Sequence, residues 1–128
     1  MRYLAIDYGE KRVGIALSDE SGRLAFPKKV LAQDKKLIPA LEKMCMEEKI
    51  GAIIIGESLD FKNHPNPIMK KILAFKAELA KKVKCQIHFE PEFMTSQEAT
   101  HIQGEGNMHD ASAAALILKS YLDKKNNY

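Results

Sequence analysis

The sequence predicts an α/β protein in which a mixed β-sheet carries helices on both faces. Short strand-like segments with turn residues between them occupy residues 2–30, helical periodicity begins after them, and helices then alternate with β-branched segments. The length of 128 residues suits a single domain spanning 1–128. Hydrophobic residues make up 45% and charged residues 29%, an ordinary globular balance that excludes extensive disorder.

The N-terminal segments predict three antiparallel strands. Residues 2–7 form a short apolar strand that ends on Asp7, and residues 12–18 alternate between large and small side chains. Turn residues at 19–22 lead into a third strand that runs to about Val30. The small face of the second strand would let a helix or a ligand approach closely, and it consists of Gly14, Ala16 and Ser18.

The rest of the chain predicts helices alternating with strands. A helix covers residues 37–49, with Pro39 in its first turn, and the buried strand 52–55 ends at Gly56 before a polar loop, 57–65. Asn66 and Pro67 predict the start of a second helix. A strand at 86–90, a short helix opened by the capping box 95–98, a last helix capped by Asn107 and a frayed end at 124–128 follow. Ribonuclease-H-like folds have this order of elements.

The composition of the chain limits where the protein can be located and what it can bind. No apolar run approaches the length of about 20 residues that spans a bilayer, and no secretory signal is visible, so we expect a cytoplasmic protein without membrane contact. Cys45 and Cys85 show no metal-ligand spacing and are predicted to be buried or partly buried thiols. The net charge of +3 does not by itself indicate nucleic acid.

Three acidic residues stand at the ends of predicted elements. Asp7 ends the first strand, Glu92 follows the strand 86–90, and Asp110 lies in the first turn of the last helix. A mixed sheet of this order can bring them to one place, where their mutual repulsion would raise their pKa values. Mg²⁺, with Mn²⁺ as a substitute, would relieve the repulsion and activate a water against a phosphodiester.

Each acid also has a simpler interpretation. Asp7 can be a turn residue that accepts hydrogen bonds before Gly9. Glu92 can be an exposed loop acid, and Asp110 can serve the dipole of its helix. Spacing alone does not decide between these interpretations and catalysis.

Four segments in order resemble the YqgF/RuvX family of Holliday-junction resolvases and nucleases that mature the 5′ end of pre-16S ribosomal RNA. They are Leu4–Asp19, Ile54–Gly56, Met94–Ala99 and His109–Leu118. The resemblance implies a ribonuclease-H-like fold, with Asp7, Glu92 and Asp110 as catalytic acids and metal ligands. It also implies a nucleic-acid partner, pre-rRNA or branched DNA, whose phosphates contact Lys11, Arg12, Thr95 and Ser96. Either a monomer or a homodimer fits this function.

Two segments depart from the family pattern and keep an alternative function open. Pro91-Glu92-Phe93 stands where the family has Asp-Glu-Arg, and Glu57 and Asp60 stand in a stretch that is usually apolar or neutral. The alternative is a nucleic-acid-binding protein of the same fold with weakened catalysis. An actin-like ATPase fragment shares the first motif, but the chain has no Gly-rich adenosine motif.

Overall fold

The computed structural model describes residues 1–93 and 107–127, and the side chains of 1–92 and 110–127. The elements in chain order are β1 (Arg2–Tyr8), β2 (Arg12–Ser18), β3 (Ala25–Ala32), α1 (Leu37–Glu47), β4 (Ile50–Leu59), α2 (Met69–Ala80), β5 (Gln86–Phe93) and α3 (Asn107–Asn126). The strands form one five-stranded sheet in the order β3-β2-β1-β4-β5. β1, β2 and β3 pair antiparallel, and β4 pairs parallel with both β1 and β5. This confirms the predicted α/β mixed sheet.

The N-terminal meander has the predicted form. The turn between β2 and β3 is closed by Asp19, whose side chain accepts hydrogen bonds from the Arg23 and Leu24 N–H groups and from the Ser21 hydroxyl. Gly22 has a φ of 72°, which a glycine adopts without strain. β3 is an edge strand and tolerates Pro27, which lacks an N–H to donate.

Helices cover both faces of the sheet, as predicted. α1 and α2 bury their apolar stripes on one face, against Leu4, Ile6 and the large residues of β2 and β4. α3 covers the other face, where it packs on Tyr3, Ala5, Ala16 and other small or aromatic side chains. The small face of β2 therefore receives a helix, and the alternation of residues along β1 and β2 decides which residues lie beneath it.

Two strands are longer than predicted. β4 does not end at Gly56 but continues to Leu59, and β5 continues past Glu90 to Phe93. The parallel pairing runs on in register from Gly56 opposite Glu90 to Leu59 opposite Phe93, so backbone hydrogen bonds hold a stretch that its polar side chains do not identify as a strand. We call this two-stranded extension, residues 57–59 and 91–93, the arm.

The starts and ends of two helices also correct the predictions. α2 begins at Met69 rather than at Pro67, and the Asn66 side chain before it donates to the Ser58 hydroxyl at 2.9 Å. α3 reaches Asn126, so it continues into the segment 124–128 that the sequence predicted to be frayed. Lys124 pairs with the buried Glu90 at 2.7 Å, and Asn126 donates to the Gly22 carbonyl at 3.0 Å. The predicted short helix at 95–98 lies outside the described residues.

The two cysteines are free thiols, as predicted, although the fold brings them together. Cys45 belongs to the core under α1, and Cys85 packs against the same core just before β5. Burial, with a smaller contribution from the neighbouring Cys85, raises the pKa of the Cys45 thiol to about 12. No helix within residues 1–93 and 107–127 is both long and apolar enough to cross a membrane.

Candidate active site

Asp7 lies near the end of β1 on the face covered by α3. It alternates with Tyr3 and Ala5, which pack against α3, so its carboxylate points towards that helix. Its antiparallel neighbour on β2 is Gly14. Asp7 is partly buried near the end of β1. It lies inside a strand and not in a turn, so the alternative interpretation of Asp7 as a turn residue is wrong.

Gly14 allows the start of α3 to lie directly on β2. A Cβ atom added at Gly14 would overlap the carbonyl group of Asp110 and lie 2.9 Å from the Ala111 nitrogen. Backbone cannot yield as a flexible side chain can, so only glycine fits at this position. Since Gly14 is also the neighbour of Asp7, the same close contact brings Asp110 to Asp7.

Asp110 is a buried acid with a cationic neighbour. Its side chain is 6% exposed, and the Arg12 Nε lies 3.2 Å from its Oδ2. That oxygen nevertheless accepts no hydrogen bond from the atoms that the structure describes, because the Arg12 N–H does not point at it. Asp110 also lies in the first turn of α3, where a carboxylate interacts favourably with the helix dipole, so that interpretation stands beside the catalytic one.

Glu92 reaches the same face of the sheet from β5. It alternates with His88 and Glu90, which contact Tyr121 and Ser120 of α3. Its Oε2 lies over Gly56 of β4, where an added Cβ would be 2.9 Å from that oxygen and 2.8 Å from the Ile117 Cδ1. Glu92 is half-buried within a strand, so the interpretation of Glu92 as an exposed loop acid is wrong.

The carboxylates of Glu92 and Asp110 affect the ionisation of Asp7. Burial, then the charge of Glu92, then that of Asp110 raise the pKa of Asp7 well above its usual range. Burial raises the pKa of Glu92 to about 7. Negative charges held together with incomplete solvation are unfavourable, and a cation or proton at this place would be stabilised.

The donor set is chemically suited to a magnesium ion. Among the side chains described, no three His, Cys, Asp or Glu residues converge closely enough to enclose a single ion. Mg²⁺ does not require such a cage, because it usually takes one or two carboxylates and completes its shell with waters and phosphate oxygens. Partly buried Asp7, partly buried Glu92 and the Asp110 Oδ2 that accepts no hydrogen bond fit that requirement.

The other predicted site residues lie in different places. Arg12 contacts Asp110, and Lys11 is exposed in the loop between β1 and β2. Thr95 and Ser96 lie outside the described residues. Glu57 lies opposite Pro91 in the arm, and Asp60 accepts hydrogen bonds from the Lys62 and His64 N–H groups. The charge of Asp60 is therefore used within its own turn.

Sequence reasoning missed the contacts that hold the loop after Asp7. Gln33, just after β3, donates to the Gly9 carbonyl at 2.9 Å, and its own N–H donates to the Lys11 carbonyl at 3.0 Å. Lys71 on α2 pairs with Glu10 at 3.4 Å, although both side chains are exposed. No sequence pattern points to these long-range contacts, which restrain the backbone between Asp7 and Arg12.

A cleft of about 250 Å³ lies on the opposite face of the sheet from the acids. Its lining includes Tyr8, Phe75, Lys71 and Glu78, between β1, α1 and α2. Tyr8 follows Asp7 and points to the other face, so this cleft is separated from the three carboxylates by the sheet. We therefore assign it no part in the candidate active site.

Comparison with solved structures finds resolvases with the same fold. Thermus thermophilus RuvC, solved in complex with a Holliday junction substrate, is similar with a TM-score of 0.62 and 14% identity, covering 99% of this chain and 96% of that one. The fowlpox virus resolvase, solved with Holliday junction DNA, is similar with a TM-score of 0.56 and 12% identity, over 99% of this chain and 100% of that one. At these identities the similarity concerns the fold, and it confirms the ribonuclease-H-like architecture.

Curated relatives and a family model connect the sequence itself to a known group. A protein of Lawsonia intracellularis named "Putative pre-16S rRNA nuclease" is 32% identical over 97% of this chain and 94% of its own length. One of Rickettsia peacockii with the same name is 30% identical over 97% of this chain and 87% of its own length. The family model described as RuvX, Holliday junction resolvase, matches residues 1–124. The chain therefore belongs to the RuvX family.

Proposed function

We propose that this chain is a metal-dependent endonuclease that hydrolyses phosphodiester bonds in structured nucleic acid. The observation that carries the proposal is the half-buried Asp7, whose pKa is raised by burial and by the nearby carboxylates of Glu92 and Asp110. Acids whose pKa values are shifted by burial and by neighbouring charges are typical of catalytic sites. Membership of the resolvase family supports the reaction class.

In this proposal Asp7, Glu92 and Asp110 hold Mg²⁺, or Mn²⁺ in its place. When bound, the metal would supply charge neutralisation and an activated water. Asp7 and Glu92 offer oxygens from the ends of two strands that the rigid sheet holds apart, with β4 between them. Asp110 is fixed by the packing of α3 on Gly14. A rigid arrangement of this kind lowers the reorganisation needed during the reaction.

Arg12 and Lys11 would hold the substrate phosphate beside the acids. The Arg12 guanidinium already lies 3.2 Å from Asp110, so an anion that reaches it is also close to the carboxylates. Guanidinium groups bind phosphate oxygens in a bidentate manner, which orients as well as attracts the substrate. Thr95 and Ser96 belong to the same proposal as phosphate contacts.

The relatives and the structural neighbours support a proposal for the substrate class. The relatives are named for pre-16S rRNA, and the solved neighbours hold Holliday junctions. We propose structured RNA or branched DNA as the substrate. If the substrate is a four-way junction, paired cuts on its twofold axis would call for a homodimer, whereas a monomer suffices for end maturation of an RNA. Light scattering with each substrate tests that choice.

The decisive test is the Asp7→Asn variant in a cleavage assay with Mg²⁺ or Mn²⁺, on junction DNA and on a pre-16S RNA fragment. We expect cleavage to fall by at least about 1,000-fold, because the neutral amide is a poor metal ligand. We also expect the thermal unfolding temperature to rise in metal-free buffer, because the substitution removes a repelled carboxylate. Loss of activity with gain of stability separates a catalytic acid from a structural one.

The matched control is Asp123→Asn on α3, which removes an exposed carboxylate paired with Lys119. Cleavage and stability should change little, because surface pairs contribute at most about 1 kcal/mol. Full cleavage by purified Asp7→Asn, or equal cleavage by the wild type in excess chelator, would contradict the proposed function.

The second candidate is a nucleic-acid-binding protein with weakened catalysis. The substitutions at Pro91 and Phe93, on either side of Glu92, favour it, since they place a proline and an aromatic residue where the family has an acid and an arginine. Binding of both substrates without metal-stimulated cleavage would support this candidate, and multiple turnovers on either substrate would exclude it.

A further inference from the structure

Phe61 is an exposed aromatic side chain in the turn that follows the arm. It lies between β4 and α2, and 65% of its surface is exposed. Single exposed apolar residues are common and need no explanation. Phe61 is distinguished from the others by the construction of its turn, by its position and by its charged neighbours.

The turn is held by its own backbone and by Asp60. The Asp60 carboxylate accepts the N–H groups of Lys62 at 2.8 Å and of His64 at 2.9 Å. The Asp60 N–H donates to the His64 carbonyl at 2.8 Å, and Leu59 bridges to Pro65. None of these contacts involves the phenyl ring. The turn is therefore preorganised and presents Phe61 without needing it for the fold, which reduces the entropy cost of binding.

The turn continues directly from the arm that carries Glu92. Ser58 lies opposite Glu92 and Leu59 opposite Phe93 in the parallel pair. Phe61 follows Ser58 by three residues, so the two residues are at most about 10 Å apart along the chain. Phe61 is therefore within reach of a nucleotide next to one whose phosphate contacts the carboxylates.

The charges around Phe61 suit a polyanion. Lys62 follows it with an exposed ammonium group, and the Asp60 carboxylate is bound within the turn by hydrogen bonds from the Lys62 and His64 N–H groups. Those bonds hold the pKa of Asp60 below its usual value. An aromatic ring beside a cation is a combination that binds unpaired nucleotides, because the base stacks on the ring while its phosphate pairs with the cation.

We propose that Phe61 stacks on an unpaired base of the substrate, beside the phosphodiester presented to the three carboxylates. This deepens the proposed nuclease function and rests on it. The bound substrate then has a displaced or single-stranded nucleotide at the cleavage point, as a branch point or the end of a helix supplies and a continuous duplex does not.

The test compares Phe61→Ala, Phe61→Tyr and the control Leu24→Ala, which truncates a remote side chain that is 67% exposed. Fluorescence anisotropy measures the binding of each protein to a junction, to a single-stranded oligonucleotide and to a continuous duplex, in Ca²⁺ in place of Mg²⁺. We expect Phe61→Ala to lose about tenfold in affinity for the junction and the single strand and less than about twofold for the duplex. Phe61→Tyr and Leu24→Ala should bind as the wild type does.

A second readout reports stacking directly. A 2-aminopurine base placed at the branch point should change its emission when the wild type or Phe61→Tyr binds, and should not when Phe61→Ala binds at saturation. The stacking role is overturned if Phe61→Ala binds every substrate as tightly as the wild type does, or if it changes the 2-aminopurine emission as the wild type does. Cleavage by the wild type would then still support the proposed nuclease function. Absence of wild-type binding and cleavage on every substrate overturns the proposed function as well, so the two failures are distinguishable.

Discussion

The sheet brings two acids to Asp7 in two different ways. On one side, the backbone of α3 at Asp110 rests on Gly14, with no space for a single added carbon. On the other side, Glu92 extends from the arm, and its flexible carboxylate covers Gly56. Asp110 is therefore positioned by contact between backbones, whereas Glu92 is positioned by a strand ladder and its own rotamer.

This difference predicts which of the two neighbouring acids, Asp110 or Glu92, tolerates substitutions at the glycine beside it. A displacement at Gly14 must move a helix of 20 residues that covers one whole face of the sheet. A displacement at Gly56 requires only a rotation of Glu92 or Ile117. The Asp7–Asp110 side should therefore behave as part of the core, and the Glu92 side as the adjustable part of the site.

The largest effect is expected from Gly14→Ala. The added methyl overlaps the Asp110 carbonyl, so α3 must shift or detach, and we expect a loss of about 3 kcal/mol or more in the free energy of unfolding. Urea denaturation followed by circular dichroism measures it. The control is Gly51→Ala on β4, where the added methyl meets only the flexible side chain of Met1 and the loss should be about 1 kcal/mol or less. Equal losses in the two variants would contradict the backbone contact.

Glu92→Gln should produce an intermediate, pH-dependent effect without metal. The pKa of Glu92 is about 7 in the folded protein against 4.5 as the reference value, so the folded state binds more protons between these values. The wild type should then lose stability as pH rises from about 4.5 to about 7, by about 2 kcal/mol because the side chain stays partly exposed. Glu92→Gln should lack that loss and be the more stable protein at pH 8.

Chelated buffer is essential to this experiment, and Mg²⁺ supplies its control. Saturating Mg²⁺ should reduce the pH-dependent loss in the wild type, because a cation favours the ionised carboxylates. Parallel pH profiles of the wild type and Glu92→Gln in chelator would show that Glu92 is not held in an unfavourable environment.

The smallest effect on stability is expected from Gly56→Ala. Its methyl would press on the Glu92 Oε2 and the Ile117 Cδ1, which are ends of flexible side chains, so we expect a loss of about 1 kcal/mol. Because Glu92 must move to make room, cleavage should fall by about tenfold or more. A stability loss as large as that of Gly14→Ala would show that the two sides do not differ.

Much of the fold could be predicted because local patterns and tertiary structure agree. The alternation in β2 indicates both the large face that packs under α1 and α2 and the small face that receives α3. The apolar run at Ala52–Ile55 predicts a strand covered on both faces, which β4 is. In these segments the side chains themselves carry the information about burial.

The arm could not be predicted for the opposite reason. Residues 57–59 and 91–93 mix polar and apolar side chains, contain a proline and are held in strands by pairing between distant segments. The same lack of local information hides the position of Glu92 and the contacts of Gln33 and Lys71. Asp7 was identified correctly as an end-of-strand acid, but only the fold shows that Gly14 and Gly56 admit its two partners.

The measurement that tests the site most directly is a crystal structure of the wild type soaked in Mn²⁺, with the ion located by its anomalous signal. We expect Mn²⁺ bound to Asp7 and to at least one of Glu92 and Asp110, and no bound ion at this position in Asp7→Asn crystals. Mn²⁺ absent from all three carboxylates at a concentration that supports cleavage would contradict the assignment of these acids as metal ligands.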